Sequence, residues 1–193
     1  MYKAYSNLTP ATNHHATAQH NWQAAPAAPM ISITGAQQNE LLRALSRADL
    51  ERLFCQLELV ALPAGKHLFD CGGKIEYTYF PTNAIVSLLY VMEDGATTEI
   101  AVIGREGVAG VVLYEAERAT CTAIVQSAGY GYRLKTQSLR EAFNQGGALP
   151  QLLMRYTNAL FAQMAQNAVG GRHSSIEQKL CRWLLDRLDR SPS

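Results

Sequence analysis

The strongest constraint on the fold is a series of short apolar segments between Glu58 and Leu134. The segments are Leu59–Leu62, His67–Phe69, Tyr77–Phe80, Ala84–Met92, Thr98–Ile103, Ala123–Val125 and Tyr130–Leu134. Turn-forming residues separate them, and Asp94-Gly95 predicts a hairpin because a type I′ turn needs positive φ at both central positions. Closely spaced strands without intervening long helices predict an all-β sandwich, barrel or roll and argue against a Rossmann arrangement.

Helical patterns flank this β region. Leucines at three- and four-residue steps predict short helices over 38–45 and 47–56, the second capped by Ser46 with Asp49 supporting its first turn. Residues 1–37 lack apolar periodicity and are predicted to form a disordered tail. After the strands, Leu139 and Phe143 predict one short helix that Gly146-Gly147 breaks.

A longer helix is predicted over 147–171, with Pro150 in its first turn and Gly170-Gly171 at its end. Five of its residues recur at steps close to a heptad seam, and all but the last are largely apolar: Leu153, Tyr156, Leu160, Met164 and Asn167. Two interpretations fit this seam. It forms either a parallel helix dimer or a helix packed on its own β domain.

Another helix is predicted in 172–193, where Ser174 and Glu177 have capping-box spacing. Its apolar face includes Trp183 and Leu184, close to where the sequence stops at Ser193. Such a face requires a packing partner, which predicts that a domain is missing.

Composition excludes several function classes. The net charge of +1 gives no electrostatic footprint for nucleic acid, so DNA contact by this chain alone is not expected. Cys55, Cys71, Cys121 and Cys181 are far apart, which argues against a metal cluster and favours reduced thiols. No catalytic constellation, apolar run of membrane-spanning length or secretory signal is present, so we expect a cytoplasmic protein that is not an enzyme.

Three motifs resemble the catabolite-activator and fumarate–nitrate regulator (Crp/Fnr) family of transcription regulators. Glu76–Asn83 (EYTYFPTN) is similar to the family's YFP turn, and Val102–Gly110 (VIGREGVAG) to its VGREGxxG segment. Arg172–Leu185 resembles the helix that opens the family's DNA-binding domain. The likeness covers about 38–190.

The resemblance implies a mainly β fold with flanking helices (α+β), namely a cyclic-nucleotide-binding-type double-stranded β-helix or jelly roll over 38–146. It further implies that 147–171 is a dimerisation helix and 172–193 the first helix of an incomplete DNA-binding domain. A sensor and dimerisation module without its own helix-turn-helix is the expected function. A homodimer is the expected state, and the alternative is an inhibitory heterodimer with full-length relatives.

The resemblance also locates a candidate ligand pocket. Cyclic-nucleotide binders of the family use one Glu for the ribose and one Arg for the phosphate. Alignment on Gly110 places Val111 at the Glu position, and alignment on the next strand places Cys121 at the Arg position, beside the hydroxyl of Thr122. Arg118 lies three residues upstream and takes the Arg position if the alignment shifts. We therefore expect no cofactor and no tight cyclic-nucleotide binding, with the small-molecule effector left open.

Overall fold

The computed structural model describes residues 31–92, 95–111 and 118–173, with side chains to residue 168. Five helices lie in these ranges: α1 Ile33–Ala36, α2 Glu40–Arg43, α3 Arg47–Phe54, α4 Thr136–Asn144 and α5 Leu149–His173. Seven strands separate α3 from α4: β1 Glu58–Leu62, β2 His67–Phe69, β3 Tyr77–Pro81, β4 Ile85–Val91, β5 Thr97–Ile103, β6 Thr122–Ser127 and β7 Gly129–Lys135. The predicted strands are all confirmed, with their ends shifted by a residue or two.

The strands form two antiparallel sheets. One contains three strands in the order β1-β7-β3, and the other four in the order β2-β6-β4-β5. The β4–β5 hairpin pairs Val91 with Thr97, and the amide of Met92 donates to the carbonyl of Ala96 at 2.8 Å. Gly95 has φ +83°, as the turn prediction requires, whereas Asp94 lies outside the described residues. The predicted hairpin is therefore confirmed, and so is the β-roll, which the family resemblance implied and which was one of the three all-β folds that the turn signals left open.

Two apolar cores hold the roll and its helices together. One is built from strand residues and includes Leu62, Val86 and Ile103. The other joins Tyr132 and Leu134 of β7 to leucines of α2 through α5, including Leu153. Helices α2 to α4 and the start of α5 thus share a core with the sheet that contains β7, whereas the rest of α5 lies along β5 of the other sheet.

The structure changes two predicted boundaries. Order begins before Gln38, because α1 starts at Ile33 and buries Ala36 completely. Helix α5 continues through Gly170-Gly171 to His173, although the glycine pair predicts an end there. Isolated glycines weaken a helix by only about 1 kcal/mol each, so a long helix can absorb them. The rest of the predicted tail (1–30) and the helix predicted in 172–193, from residue 174 on, lie outside the described residues.

Candidate functional site

A cavity of about 540 Å³ lies between the roll and α5. Strands, the segment that follows β5 and one side of α5 all contribute to its walls. The lining residues are Phe69, Ile75, Leu88, Ile103, Val108, Gly110, Val111, Arg118, Ala119, Thr120, Cys121, Tyr156, Thr157, Leu160 and Met164. Most of these side chains are apolar, which is typical of small-molecule sites.

Asn39 fixes the segment after β5 against the rest of the domain. Its side chain is fully buried, and its amide donates to the carbonyls of Pro81 at 2.9 Å and Gly107 at 2.8 Å. Its oxygen accepts from the backbone amides of Leu41 and Leu42, which caps α2. One side chain therefore joins α2, the end of β3 and the cavity wall.

Gly107 leaves the space that the Tyr156 ring occupies beside the segment after β5. A Cβ at Gly107 would lie 2.9 Å from the Tyr156 hydroxyl oxygen and ring edge, so a larger residue would displace the ring. The Tyr156 hydroxyl donates to the carbonyl of Val108 at 2.8 Å. This contact ties α5 directly to the cavity wall.

Gly110 ends the segment in a conformation that favours glycine. Its φ is +83°, and a Cβ would lie 3.0 Å from both the carbonyl oxygen of Tyr77 and a methyl group of Ile75. The Thr78 hydroxyl donates to the Gly110 carbonyl at 2.8 Å. Close packing around the cavity thus explains two glycines of the VGREGxxG-like motif, Gly107 and Gly110.

Arg118 supplies the charge of the cavity. It is the one charged residue among the described lining residues, and one guanidinium nitrogen donates to the carbonyl of Gly72 at 2.8 Å. A guanidinium carries five N–H donors, so donors remain for an anion. The polar groups that α5 brings to the cavity are already used, because Thr157 donates to the carbonyl of Leu153 and Tyr156 to that of Val108.

Four of the five predicted pocket residues line this cavity: Gly110, Val111, Arg118 and Cys121. Thr122 is not among them. It is 7% exposed, and its hydroxyl oxygen accepts from the backbone amide of Cys71 at 3.1 Å. Residues 112–117, which include Glu117, lie outside the described residues.

The predicted dimer seam on α5 faces its own domain. Leu153 is 1% exposed, Leu160 and Met164 pack against the strand core, and the Asn167 amide donates to the carbonyl of Ile100 at 3.1 Å. With Tyr156 bonded to Val108, all five seam residues contact the roll. Within one chain the seam therefore packs against the β domain, as one of its two interpretations expected, and its assignment to a dimer stays a prediction. It was the helix's apolar spacing that suggested a partner, and the roll provides one within the chain.

A different face of α5 is left exposed. Met154 is 60% exposed and Phe161 is 72% exposed, although both are large and apolar. They are seven residues apart, so they lie on one stripe of the helix. Ala165 and Ala168 continue this stripe toward the end of α5 and are also exposed. We call Met154, Phe161, Ala165 and Ala168 the exposed stripe.

The described ranges contain neither a metal-binding cluster nor a membrane-spanning helix. No group of three or more His, Cys, Asp or Glu side chains is arranged to hold a metal ion between residues 31 and 173, with 93–94 and 112–117 left aside. None of the helices in these ranges has the length and apolarity needed to cross a bilayer.

Sequence reasoning missed the two polar contacts that position the cavity. Asn39 belongs to no motif. Asn is a residue type that often caps helices, and its position next to Glu40 was the only signal of the cap that it forms on α2. The hydroxyl of Tyr156 was hidden by its apolar spacing on α5. Both depend on contacts between segments far apart in the chain.

Solved structures show which fold this is. A putative cyclic-nucleotide-binding protein from Geobacter metallireducens GS-15 is 20% identical, with a TM-score of 0.57 over 70% of this chain and 99% of that one. The c-di-GMP-responsive global regulator CLP of Xanthomonas campestris is 13% identical, with a TM-score of 0.59 over 73% and 72%. The regulatory subunit of a cAMP-independent protein kinase A from Trypanosoma brucei is 13% identical, with a TM-score of 0.57 over 65% of this chain.

The chain spans 46% of the length of that kinase regulatory subunit. No family model matches the sequence. No curated protein matches it either. The fold is therefore that of cyclic-nucleotide-binding domains, as the motif resemblance implied, and two of these three structures are those of regulatory proteins.

Proposed function

We propose that this domain is a regulatory sensor module whose cavity binds a small-molecule effector that contacts α5 directly. The observation that carries the proposal is that α5 forms one wall of the cavity through Tyr156, Thr157, Leu160 and Met164. An effector that changes the packing of these side chains changes the position of the helix. Effector binding in the cavity is thereby coupled to the interactions that α5 makes with its neighbours.

The chemistry of the cavity favours a mainly apolar effector with one anionic group. Apolar walls contribute roughly 25 cal/mol per Å² of apolar surface buried, and Arg118 provides the charge-assisted contact for the anion. Val111 and Cys121 line the cavity where a cyclic nucleotide would need polar partners. An unpartnered ribose hydroxyl pair costs about 1–3 kcal/mol per buried group. We therefore expect cyclic nucleotides to bind weakly.

Calorimetry with cyclic AMP and cyclic GMP tests the specificity. We expect dissociation constants well above the micromolar range for both. Micromolar or tighter binding of either nucleotide would contradict the proposed specificity. Mass spectrometry of the native protein, under conditions that retain bound small molecules, should reveal a co-purifying apolar anion if one is retained.

We further propose that the module forms a homodimer through the exposed stripe of α5. Phe161 follows Leu160, so it lies about 100° further around the helix than a cavity residue. A large apolar side chain that is 72% exposed is costly in water and is typical of an interface. The alanines at 165 and 168 would allow two helices to approach closely. The cavity and this stripe belong to one helix, which would link effector binding to the geometry of the dimer.

Matched charge substitutions on α5 test the dimer. Phe161→Glu places a charge in the stripe, whereas Gln166→Glu places the same charge at an exposed position away from it. Sedimentation velocity should show a dimer for the unaltered protein and for Q166E, and a monomer for F161E. A monomeric unaltered protein, or a dimer that F161E leaves intact, would contradict this assignment. A complex with a full-length regulator in place of the homodimer would favour the heterodimer alternative.

A further inference from the structure

Cys121 lines the cavity, and the backbone of Cys71 contacts the neighbouring residue Thr122, although about fifty residues separate the two cysteines in the sequence. Cys71 follows β2 by two residues, and Cys121 directly precedes β6. Strands β2 and β6 are antiparallel, and Phe69 pairs with Ala123. Lys74 pairs with Arg118 further along in the same register. Cys71, in the turn closed by the Gly73 amide and the Asp70 carbonyl, and Cys121 therefore lie between two paired positions.

Backbone contacts keep the two segments together beyond the ends of the strands. The amide of Cys71 donates to the hydroxyl oxygen of Thr122 at 3.1 Å, and the amide of Gly72 donates to the carbonyl of Ala119 at 2.7 Å. Opposed residues in an antiparallel pair have Cα atoms about 4.5–5.5 Å apart, which lies inside the usual disulfide range of about 4.4–6.8 Å. The pairing geometry therefore permits a bridge without a large backbone movement.

The surroundings of the two thiols differ. Cys71 is exposed, whereas Cys121 is half-buried and lines the cavity. Burial raises the pKa of the Cys121 thiol, and the nearby Cys71 raises that pKa further, which places the two sulfur atoms within electrostatic reach. Cys71 is therefore the thiol that a dissolved reagent meets first, and Cys121 is placed to resolve the adduct.

We propose that Cys71 and Cys121 form a reversible disulfide that makes the cavity responsive to thiol oxidants. A low-molecular-weight disulfide, such as oxidised glutathione, supplies the oxidising equivalents. The Cys71 thiolate attacks one sulfur of the reagent and releases the first thiol. The Cys121 sulfur then attacks the mixed disulfide at Cys71 and releases the second thiol. Two protein thiols are oxidised, one reagent disulfide is reduced, and both thiol protons end on the released thiols.

The bridge would alter the site that binds the effector. It would fix the turn after β2, whose Gly72 carbonyl holds Arg118, to the start of β6. It would also remove a thiol from the cavity wall, since Cys121 is a lining residue. This consequence rests on the proposed effector function, whereas formation of the bridge does not.

Non-reducing peptide mapping tests the bridge. The folded, full-length protein is incubated with oxidised glutathione, free thiols are alkylated, and the digest is searched for disulfide-linked peptides. We expect one dominant product that joins the Cys71 and Cys121 peptides, with a mass lower by two hydrogen atoms than the sum of its parts. Reduced glutathione in excess should reverse it. Absence of this product, or equal cross-linking to Cys55 or Cys181, would overturn the proposal.

Single variants separate the roles of the two cysteines. Cys121→Ser should leave a mixed glutathione disulfide at Cys71, because the resolving thiol is gone. Cys71→Ser should abolish both products, since the remaining thiol is half-buried. The matched control Cys55→Ser changes an exposed cysteine at the end of α3 and should leave the bridge unaffected. Equal glutathione adducts at Cys121 in C71S and at Cys71 in C121S would contradict the assigned order of attack. If the bridge forms but does not change binding of an apolar anion, the redox input is refuted while the effector site stands.

Discussion

Replacing Asn39 should destabilise the domain far more than loss of an ordinary helix cap. The amide group of Asn39 bonds two carbonyls from distant segments, and its oxygen caps α2. Because the residue is fully buried, water cannot replace these contacts. Asn39→Ala removes both functions, whereas Asn39→Ser retains a cap oxygen and removes only the bridging donors.

The magnitude follows from the separate contacts. A lost N-cap costs about 1 kcal/mol, and each buried carbonyl deprived of its donor costs about 1–3 kcal/mol. The free energy of unfolding should therefore fall by roughly 3–7 kcal/mol in N39A and by roughly 2–6 kcal/mol in N39S. Ser46→Ala is the matched control, since Ser46 caps α3 at a partly exposed site and should cost only about 1 kcal/mol.

Urea denaturation followed by circular dichroism measures these differences at a fixed protein concentration. We expect N39S to be clearly less stable than S46A, although N39S still has a capping hydroxyl, because N39S lacks the donors to Pro81 and Gly107. If the unfolding free energies of N39A, N39S and S46A all lie within about 1 kcal/mol of one another, Asn39 acts only as a helix cap, and its bonds to the two distant carbonyls do not stabilise the domain.

Three further outcomes are expected. Tyr156→Phe should lower the free energy of unfolding by about 1 kcal/mol in urea denaturation, because the hydrogen bond to Val108 is lost. Gly110→Ala should cost at least about 1–2 kcal/mol in the same assay because φ is +83° there; an unchanged midpoint would exclude the strained turn. The pKa of Asp49 is lowered, chiefly by the hydrogen bond from Ser46. This effect outweighs burial, which raises the pKa, and Arg52 lowers the pKa by a smaller amount. The stabilising contribution of Asp49 is complete above the unfolded-state pKa near 4 and is lost as pH falls through the lower folded-state value, so Asp49→Asn should flatten the acid side of a stability–pH curve.

The β-roll could be predicted from the sequence because its signals are local. Turn residues separate most of the strands between Glu58 and Lys135, and Gly95 adopts the positive φ that its turn position predicted. Ser46 caps α3 as predicted, for the same reason. These features need only neighbouring residues to be recognised.

The role of α5 could not be predicted from its own spacing. An apolar stripe at heptad steps looks the same whether it faces a partner helix or a sheet of its own chain. Leu153 and Leu160 face the roll, and only three-dimensional packing shows that Met154 and Phe161 are the residues left exposed. The position of Arg118 was ambiguous for a related reason, since an alignment shift of three residues decides whether it or Cys121 has the Arg position. Both residues line the cavity.

A fluorescence titration with anilinonaphthalene sulfonate tests directly whether the cavity beside α5 binds an apolar anion. This probe is apolar and carries one anionic group, as proposed for the effector. We expect saturable binding of the probe at one site. The affinity should be about tenfold or more weaker in Arg118→Gln and unchanged in Lys74→Gln, which removes a neighbouring cation outside the cavity lining. Identical titrations for all three proteins, or binding without saturation, would show that the cavity beside α5 is not an effector site of this chemistry.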